Sequence, residues 1–213
     1  PESARYYGQI DQAVRSCDHI IAVSECTKRD VIRLTGAQEN KITVVYEAAH
    51  PLYRPLNDPA FSAEVKRRNG LERDFVLFVS TIEPRKNVPT LLMAFRQLLD
   101  DYRPEVDLVL GGERGWLFEE VFALVDKLQL KDRVRFVGKV TPEDLLGLYN
   151  AAKILVHPAF YEGFGLPPLE AMACGTPVVA SNITAIPEVV GDAGLLVDPL
   201  NIDELAGAIL SLL

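Results

Sequence analysis

Two glutamates bracket a glycine–proline hinge in this chain: residues 162–170 read Glu-Gly-Phe-Gly-Leu-Pro-Pro-Leu-Glu. No continuous helix can run through Gly163, Gly165, Pro167 and Pro168. The stretch reads instead as a strand end, a glycine loop, and a helix with both prolines in its first turn, where a missing N–H costs nothing. The amides of Gly165 and Leu166 then point out of a helix N-terminus, a setting that holds phosphate well. Glu162 and Glu170 do not suit phosphate alone; they suit a ligand with both phosphate and hydroxyls, such as a sugar nucleotide. Each acid also has a plainer reading. Glu170 can be a first-turn acid that complements the helix dipole, typically worth ~0.3–1 kcal/mol. Glu162 can be a loop acid facing water. The glycines between them weigh against both, because glycine lets backbone approach a ligand closely.

A second constellation, Thr81-Ile-Glu-Pro-Arg-Lys-Asn87, follows an apolar run and puts Arg85 and Lys86 between a strand end and a helix capped by Asn87. Two adjacent cations there form a local anion clamp in an otherwise acidic chain, although a solvated Arg-Lys loop has the same composition. Gly111, Gly112 and Gly115 follow another strand end but lack the GxGxxG spacing of a dinucleotide fingerprint, which disfavours a nicotinamide-dependent dehydrogenase. His157, next to Pro158, could line a cleft, yet it also suits a packed or hydrogen-bonded structural role; His19 and His50 are scattered. There is no Asp-x-Asp pair and no histidine–carboxylate cluster, so no metal or cofactor is expected. Arg85 and Lys86 would have to neutralise phosphate by themselves. Trp116 and Phe118 open a helix and read as core or staple residues.

The elements that must position these residues alternate. Apolar runs at 19–23, 42–46, 75–80, 106–110, 134–137, 154–157, 178–181 and 195–197 read as strands, most of them continuous enough to be buried on both faces. Helices lie between them: Ser24 caps one that stops before Gly36, Asn87 caps one over 88–102, and Thr141-Pro142-Glu143-Asp144 starts another. Asn201 or Asp203 opens the last. This alternation means an α/β fold, a doubly wound, Rossmann-like parallel sheet whose ligands bind beyond the carboxyl ends of its strands. The stretches after 75–80 and after 154–157 both open there.

Pro51, Pro55, Asn57, Asp58 and Pro59 form a proline-rich connector, which places a domain boundary near residue 57. Residues 1–56 are then the tail of a preceding domain, and residues 57–213 one complete unit. A start at Pro1 without methionine and an end inside the apolar stretch 205–213 suggest a piece of a longer protein. The net charge of −8 argues against a nucleic-acid surface and against adhesion to anionic lipid. Cys17, Cys26 and Cys174 form neither a metal motif nor a disulfide framework, so they read as reduced, core-filling thiols in a cytoplasmic protein. No apolar run is long enough for a transmembrane segment, and no signal peptide is visible.

Glu162, seven residues, Glu170 and the following Ala171-Met-Ala-Cys-Gly-Thr-Pro-Val-Val179 together resemble the donor-site signature of retaining GT-B glycosyltransferases of the large family 4 (glycosyl transferases group 1). Thr81–Asn87 as written above, Val134-Arg-Phe-Val-Gly138, Ile186-Pro-Glu-Val-Val-Gly191 and Gly194-Leu-Leu-Val-Asp-Pro199 are similar to further blocks of those enzymes, so the likeness covers nearly the whole chain. It implies the carboxyl-terminal half of a GT-B fold, which binds a nucleoside-diphosphate sugar as donor. By that resemblance Glu170 accepts from the ribose hydroxyls and Glu162 meets the transferred sugar. Gly163, Phe164, Gly165 and Leu166 offer amides to the diphosphate and sugar, Arg85 and Lys86 hold the diphosphate, and backbone at Val137, Gly138 and Lys139 faces the base. The 81–87 and 181–199 stretches look most like mannosyltransferases. A glycan or lipid-linked acceptor would be held by the amino-terminal domain, so this chain alone is expected to be inactive; the full-length protein is left room for peripheral membrane contact. Ser80-Thr81 and Ala159 stand where glycine and serine are frequent, which bears on fine loop geometry. The competing reading is a non-catalytic nucleotide-sugar-binding or regulatory module of the same fold.

Overall fold

In a computed structural model, residues 2–113, 115 and 118–213 are described, with residues 2–8 as backbone only. The expectation for Trp116 lies outside the described residues. The chain divides into two compact units, Pro1–Ala48 and Ala49–Leu213. Residues 49–56, expected to belong with the first part, thus fall in the second unit. They are tied there by Leu56 N donating to Asn150 Oδ1 at 2.8 Å and Asn150 Nδ2 donating to the Arg54 carbonyl at 3.1 Å.

The first unit holds helix α1 (Glu2–Ser16), strand β1 (Ile20–Ala22), helix α2 (Glu25–Thr35) and strand β2 (Ile42–Val44). The two strands pair in parallel with Ile20 opposite Ile42. Ser24 caps α2 by accepting from Thr27 N, and Gly36 ends it in the left-handed region at φ 71°.

The second unit runs α3 (Pro59–Arg68), β3 (Asp74–Val79), α4 (Val88–Asp101), β4 (Val106–Gly111), α5 (Phe118–Lys127), β5 (Val134–Gly138), α6 (Pro142–Ala151), β6 (Ile154–His157), α7 (Leu166–Ala173), β7 (Val178–Ser181), α8 (Ile186–Val190), β8 (Leu195–Val197) and α9 (Ile202–Leu212). The connector expected around residue 57 contains a helix start. Asp58 accepts from Phe61 N at 3.1 Å, and Pro59 takes the first helical position of α3. Thr141 caps α6, and Asn201 rather than Asp203 caps α9.

The six strands β3 to β8 form one parallel sheet in the order β5-β4-β3-β6-β7-β8. Numbered from the first strand of the unit, this is the 3-2-1-4-5-6 order of a doubly wound Rossmann sheet. The strands read as continuous apolar runs because both faces are covered. Phe75 and Leu77 of β3 pack with Val109, Leu155 and Val178 on one side, whereas Val76 and Phe78 pack with Leu91, Phe95 and Ile209 on the other. Alternation at period two thus feeds two cores from one strand. Burying one such side chain fully contributes about 1.5–3 kcal/mol, so β3 anchors both layers. The order reverses between β3 and β6. The loops that leave their carboxyl ends diverge there and open the crevice in which this fold class binds ligands.

Candidate functional site

The two loops at that reversal carry Arg85, Lys86 and Glu162. After β3 the chain crosses Ser80–Glu83 and makes a single 3-10 turn over Pro84–Lys86 before α4. Asn87 then takes a left-handed conformation at φ 57°, uncommon for a residue with a side chain. It was expected to cap α4, but its side chain makes no such bond. Its Nδ2 donates instead to the carbonyls of Pro158 at 3.0 Å and Pro199 at 2.7 Å, and its Oδ1 accepts from Thr90 Oγ1. Asn87 therefore ties together the loops after β3, β6 and β8, which repays its backbone strain. The second tie is Gly112, at φ 140°, where an added Cβ would sit 1.9 Å from the Ser80 carbonyl oxygen. Only glycine lets the loop after β4 lie this close under the loop after β3. The glycine turn that looked uninformative in the sequence is thus a backing for the cation loop.

The crossing point is a compact charge network. Glu162 Oε1 accepts from Lys86 Nζ and, at 2.8 Å, from His157 Nε2; its Oε2 accepts from Arg85 Nη1 at 3.1 Å. Arg85 also donates to the Tyr161 carbonyl at 2.7 Å, and its Nε and Nη2 reach Glu83 Oε1 at 3.1 and 2.6 Å. Glu162 N donates to the Oγ1 of Thr184 at 3.2 Å, and that threonine is itself held at φ 59°. Burial alone would push the Glu162 carboxyl up, but the hydrogen bonds from His157 and Lys86 and the charge of Lys86 outweigh it and hold the group at about 2. His157 is fully buried, and that burial pulls it below its usual value, helped by Lys86 and Arg85 and opposed by Glu162. A neutral imidazole this close to a carboxylate must carry its proton on Nε2. Its Nδ1 is then a bare acceptor, buried without a hydrogen-bond partner.

The sequence did not show that each cation already has a carboxylate. Glu83 and Glu162 neutralise Arg85 and Lys86 in this chain, so an arriving anion must share or displace them. Glu83 and Thr184 carried no sequence signal beyond their proximity to the motifs.

The helix side of the hinge follows expectation in its backbone. Gly165 precedes α7 at φ 119°, and Pro167 and Pro168 occupy its first turn. Since prolines have no N–H, Leu166 supplies the one amide donor among these three residues. Phe164 is buried, while Leu166 is exposed. Glu170 is not the first-turn acid of the plainer reading. It is past the first turn of α7, where the dipole has little hold. Its half-buried carboxylate accepts from Tyr149 Oη at 2.9 Å. Burial pushes its pKa up, against the Tyr149 bond and the charge of His50.

Val137, Gly138 and Lys139 stand at the end of the edge strand β5, apart from the charge network. The Gly138 carbonyl accepts from Gly112 N at 2.7 Å, and Lys139 pairs with Glu113 in solvent. Among the described residues, no group of three or more His, Cys, Asp or Glu could hold a metal ion, and no helix is long and apolar enough to cross a membrane.

Residues 62–213 match the family described as glycosyl transferases group 1. The chain is 40% identical over 202 residues to O-antigen chain mannosyltransferase B of Escherichia coli, covering 94% of this chain and 53% of that protein. It is 34% identical over 207 residues to a D-inositol 3-phosphate glycosyltransferase of Streptomyces bingchenggensis, covering 92% of this chain and 45% of that protein. Among solved structures, sucrose-phosphate synthase (tll1590) from Thermosynechococcus elongatus aligns with a TM-score of 0.80 at 30% identity, over 94% of this chain and 50% of that one. Anabaena Alr3699/HepE in complex with UDP and glucose aligns with a TM-score of 0.82 at 27% identity, over 93% of this chain and 54% of that one. This chain therefore spans about half the length of these relatives. With the strand order and the paired loops at its reversal, these matches mean that the chain belongs to the glycosyl transferases group 1 family, and that its second unit has the Rossmann-like fold of the carboxyl-terminal half of a GT-B glycosyltransferase.

Proposed function

We propose that this chain is the donor-binding half of a retaining glycosyltransferase. It takes a nucleoside-diphosphate sugar, with mannose as the favoured sugar, and the longer protein transfers that sugar to a glycan or lipid-linked acceptor. The observation that carries this reading is the meeting of Arg85, Lys86 and Glu162 at the strand-order reversal, beside the amide-bearing start of α7. Relatives named as mannosyltransferases support the sugar, and a solved neighbour in complex with UDP and glucose supports the ligand class. Residues 1–48 are assigned to the tail of the acceptor domain, whose main part supplies the other half of the active site.

The roles follow from charge. When the bond between the sugar and the diphosphate breaks, its electron pair stays on the departing nucleoside diphosphate. Fixed cations at Arg85 and Lys86 and the amides of Gly165 and Leu166 stabilise that growing charge more than the ground state. Glu162, kept ionised by its partners, faces the sugar as a hydroxyl acceptor and offsets positive charge on the ring. Glu170 accepts from the ribose, and the end of β5 faces the base. Charge neutralisation by Arg85 and Lys86 requires no metal cofactor.

Thermal unfolding of this chain with GDP-mannose, UDP-glucose and ADP-glucose tests the reading. One donor is expected to raise the midpoint by several degrees at a concentration about 100 times its Kd, which adds about 2.7 kcal/mol. The rise should persist with EDTA. No stabilisation by any of the three would sink the donor-site assignment.

A further inference from the structure

Tyr149 has no part in the roles above, yet it is among the largest fully buried side chains of the molecule. A buried phenol needs a partner for its hydroxyl; a leucine or phenylalanine would fill the space without that demand. The partner here is Glu170, whose Oε2 accepts from Tyr149 Oη at 2.9 Å. The tyrosine is itself tightly held. Its ring meets Tyr53 edge-on at 5.6 Å and 77°, its carbonyl accepts from Thr176 Oγ1 at 2.6 Å, and its neighbour Asn150 is tied to Arg54 and Leu56.

A glutamate side chain has three rotors and two equivalent oxygens. A rigid donor on one oxygen removes most of that freedom and aims the other. We propose that Tyr149 is a positioning residue for donor recognition: by holding Oε2 of Glu170 it aims the second carboxylate oxygen at the ribose hydroxyls of a nucleoside diphosphate. The inference rests on Glu170 as the ribose acceptor. Tyr149 touches no ligand and acts through Glu170 alone. The connector residue Tyr53 completes the support by blocking the tyrosine ring from tilting away.

Calorimetric titration of GDP into the chain, Tyr149→Phe, Glu170→Gln and the double variant tests this, with inorganic pyrophosphate and 2′,3′-dideoxy-GDP as comparison probes. Phenylalanine keeps the ring and its contact with Tyr53. Tyr149→Phe is expected to weaken GDP about tenfold, leave pyrophosphate and dideoxy-GDP unchanged, and add nothing in the Glu170→Gln background. Weaker pyrophosphate binding, or a further loss in the double variant, would overturn the inference in favour of a general structural role. If Glu170→Gln weakens GDP and Tyr149→Phe does not, the inference alone falls. A wild-type chain that binds none of GDP, UDP and ADP removes the ribose acceptor and the inference with it.

Discussion

Glu162 and Glu170 stand at the two ends of one hinge, and the fold treats their charges in opposite ways. Glu162 is buried against Lys86, Arg85 and His157, which hold it ionised, at about 2. Glu170 is half-buried against a phenol, and its surroundings raise its pKa. A carboxylate held among cations is a counter-ion that the fold itself depends on. A carboxylate held by a hydroxyl remains suited to other neutral donors, such as those of a ribose. The proposed assignment of Glu162 to the charged end and Glu170 to the hydroxyl end of a sugar nucleotide rests on this contrast.

Neutralising each acid in turn should expose the difference between the two environments. Glu162→Gln leaves Lys86 buried without its anion, and removing one partner of a buried pair costs roughly 3–5 kcal/mol. The glutamine oxygen still accepts from Lys86, and Arg85 keeps Glu83, so a loss of about 3 kcal/mol is expected in urea unfolding at pH 7. The pH dependence follows from the same shift. The folded carboxyl lies near 2 against 4.5 unperturbed, so its contribution is present above pH 4.5 and is lost as pH falls through about 2. Glu162→Gln should flatten that acid limb. An unchanged limb, or an equal loss from Glu170→Gln at pH 7, would mean the two environments do not differ as described.

Ligand binding separates the two ends next. Glu170→Ala removes charge-assisted hydrogen bonds of about 1.5–3 kcal/mol, which is roughly ten- to hundredfold in affinity for a nucleoside diphosphate. Pyrophosphate, having no ribose, should bind as before. Arg85→Ala should weaken both ligands. Calorimetry that found pyrophosphate weakened by Glu170→Ala would place that acid at the charged end.

The strands, the helix starts and the loops that carry the acids were legible because they follow local rules, whereas the order of the strands and its reversal are long-range and were not. Apolar runs gave the strands, Thr141 and Ser24 gave caps, and Gly165 with Pro167 and Pro168 gave the loop-to-helix turn. What was hidden is long-range or conformational. Asn87 looked like a cap because asparagine before a helix usually is one; its left-handed backbone turns the side chain to Pro158 and Pro199 instead. Gly112 could be understood only once the Ser80 carbonyl was seen beneath it. The pairing of Glu162 with Arg85 and Lys86 crosses from the loop after β6 to the loop after β3, and no spacing in the chain encodes it. Asp58-Pro59 is the exception: a cap followed by proline at the first helical position is a local start signal that the surrounding prolines masked.

The smallest expected effect is the most diagnostic of sign. Because burial raises the Glu170 pKa above 4.5, its contribution to stability is fully present below that value and is lost as pH rises through its folded pKa. This is opposite to Glu162. Glu170→Gln removes the penalty of burying the ionised form while its carbonyl still accepts from Tyr149. Stability at pH 7 relative to pH 4 should therefore rise in this variant, by less than about 1 kcal/mol since the carboxylate is only half-buried. Unfolding curves at the two pH values, compared with those of Glu162→Gln, should shift in opposite directions. A shift in the same direction would mean that Glu170, too, is held by positive charge.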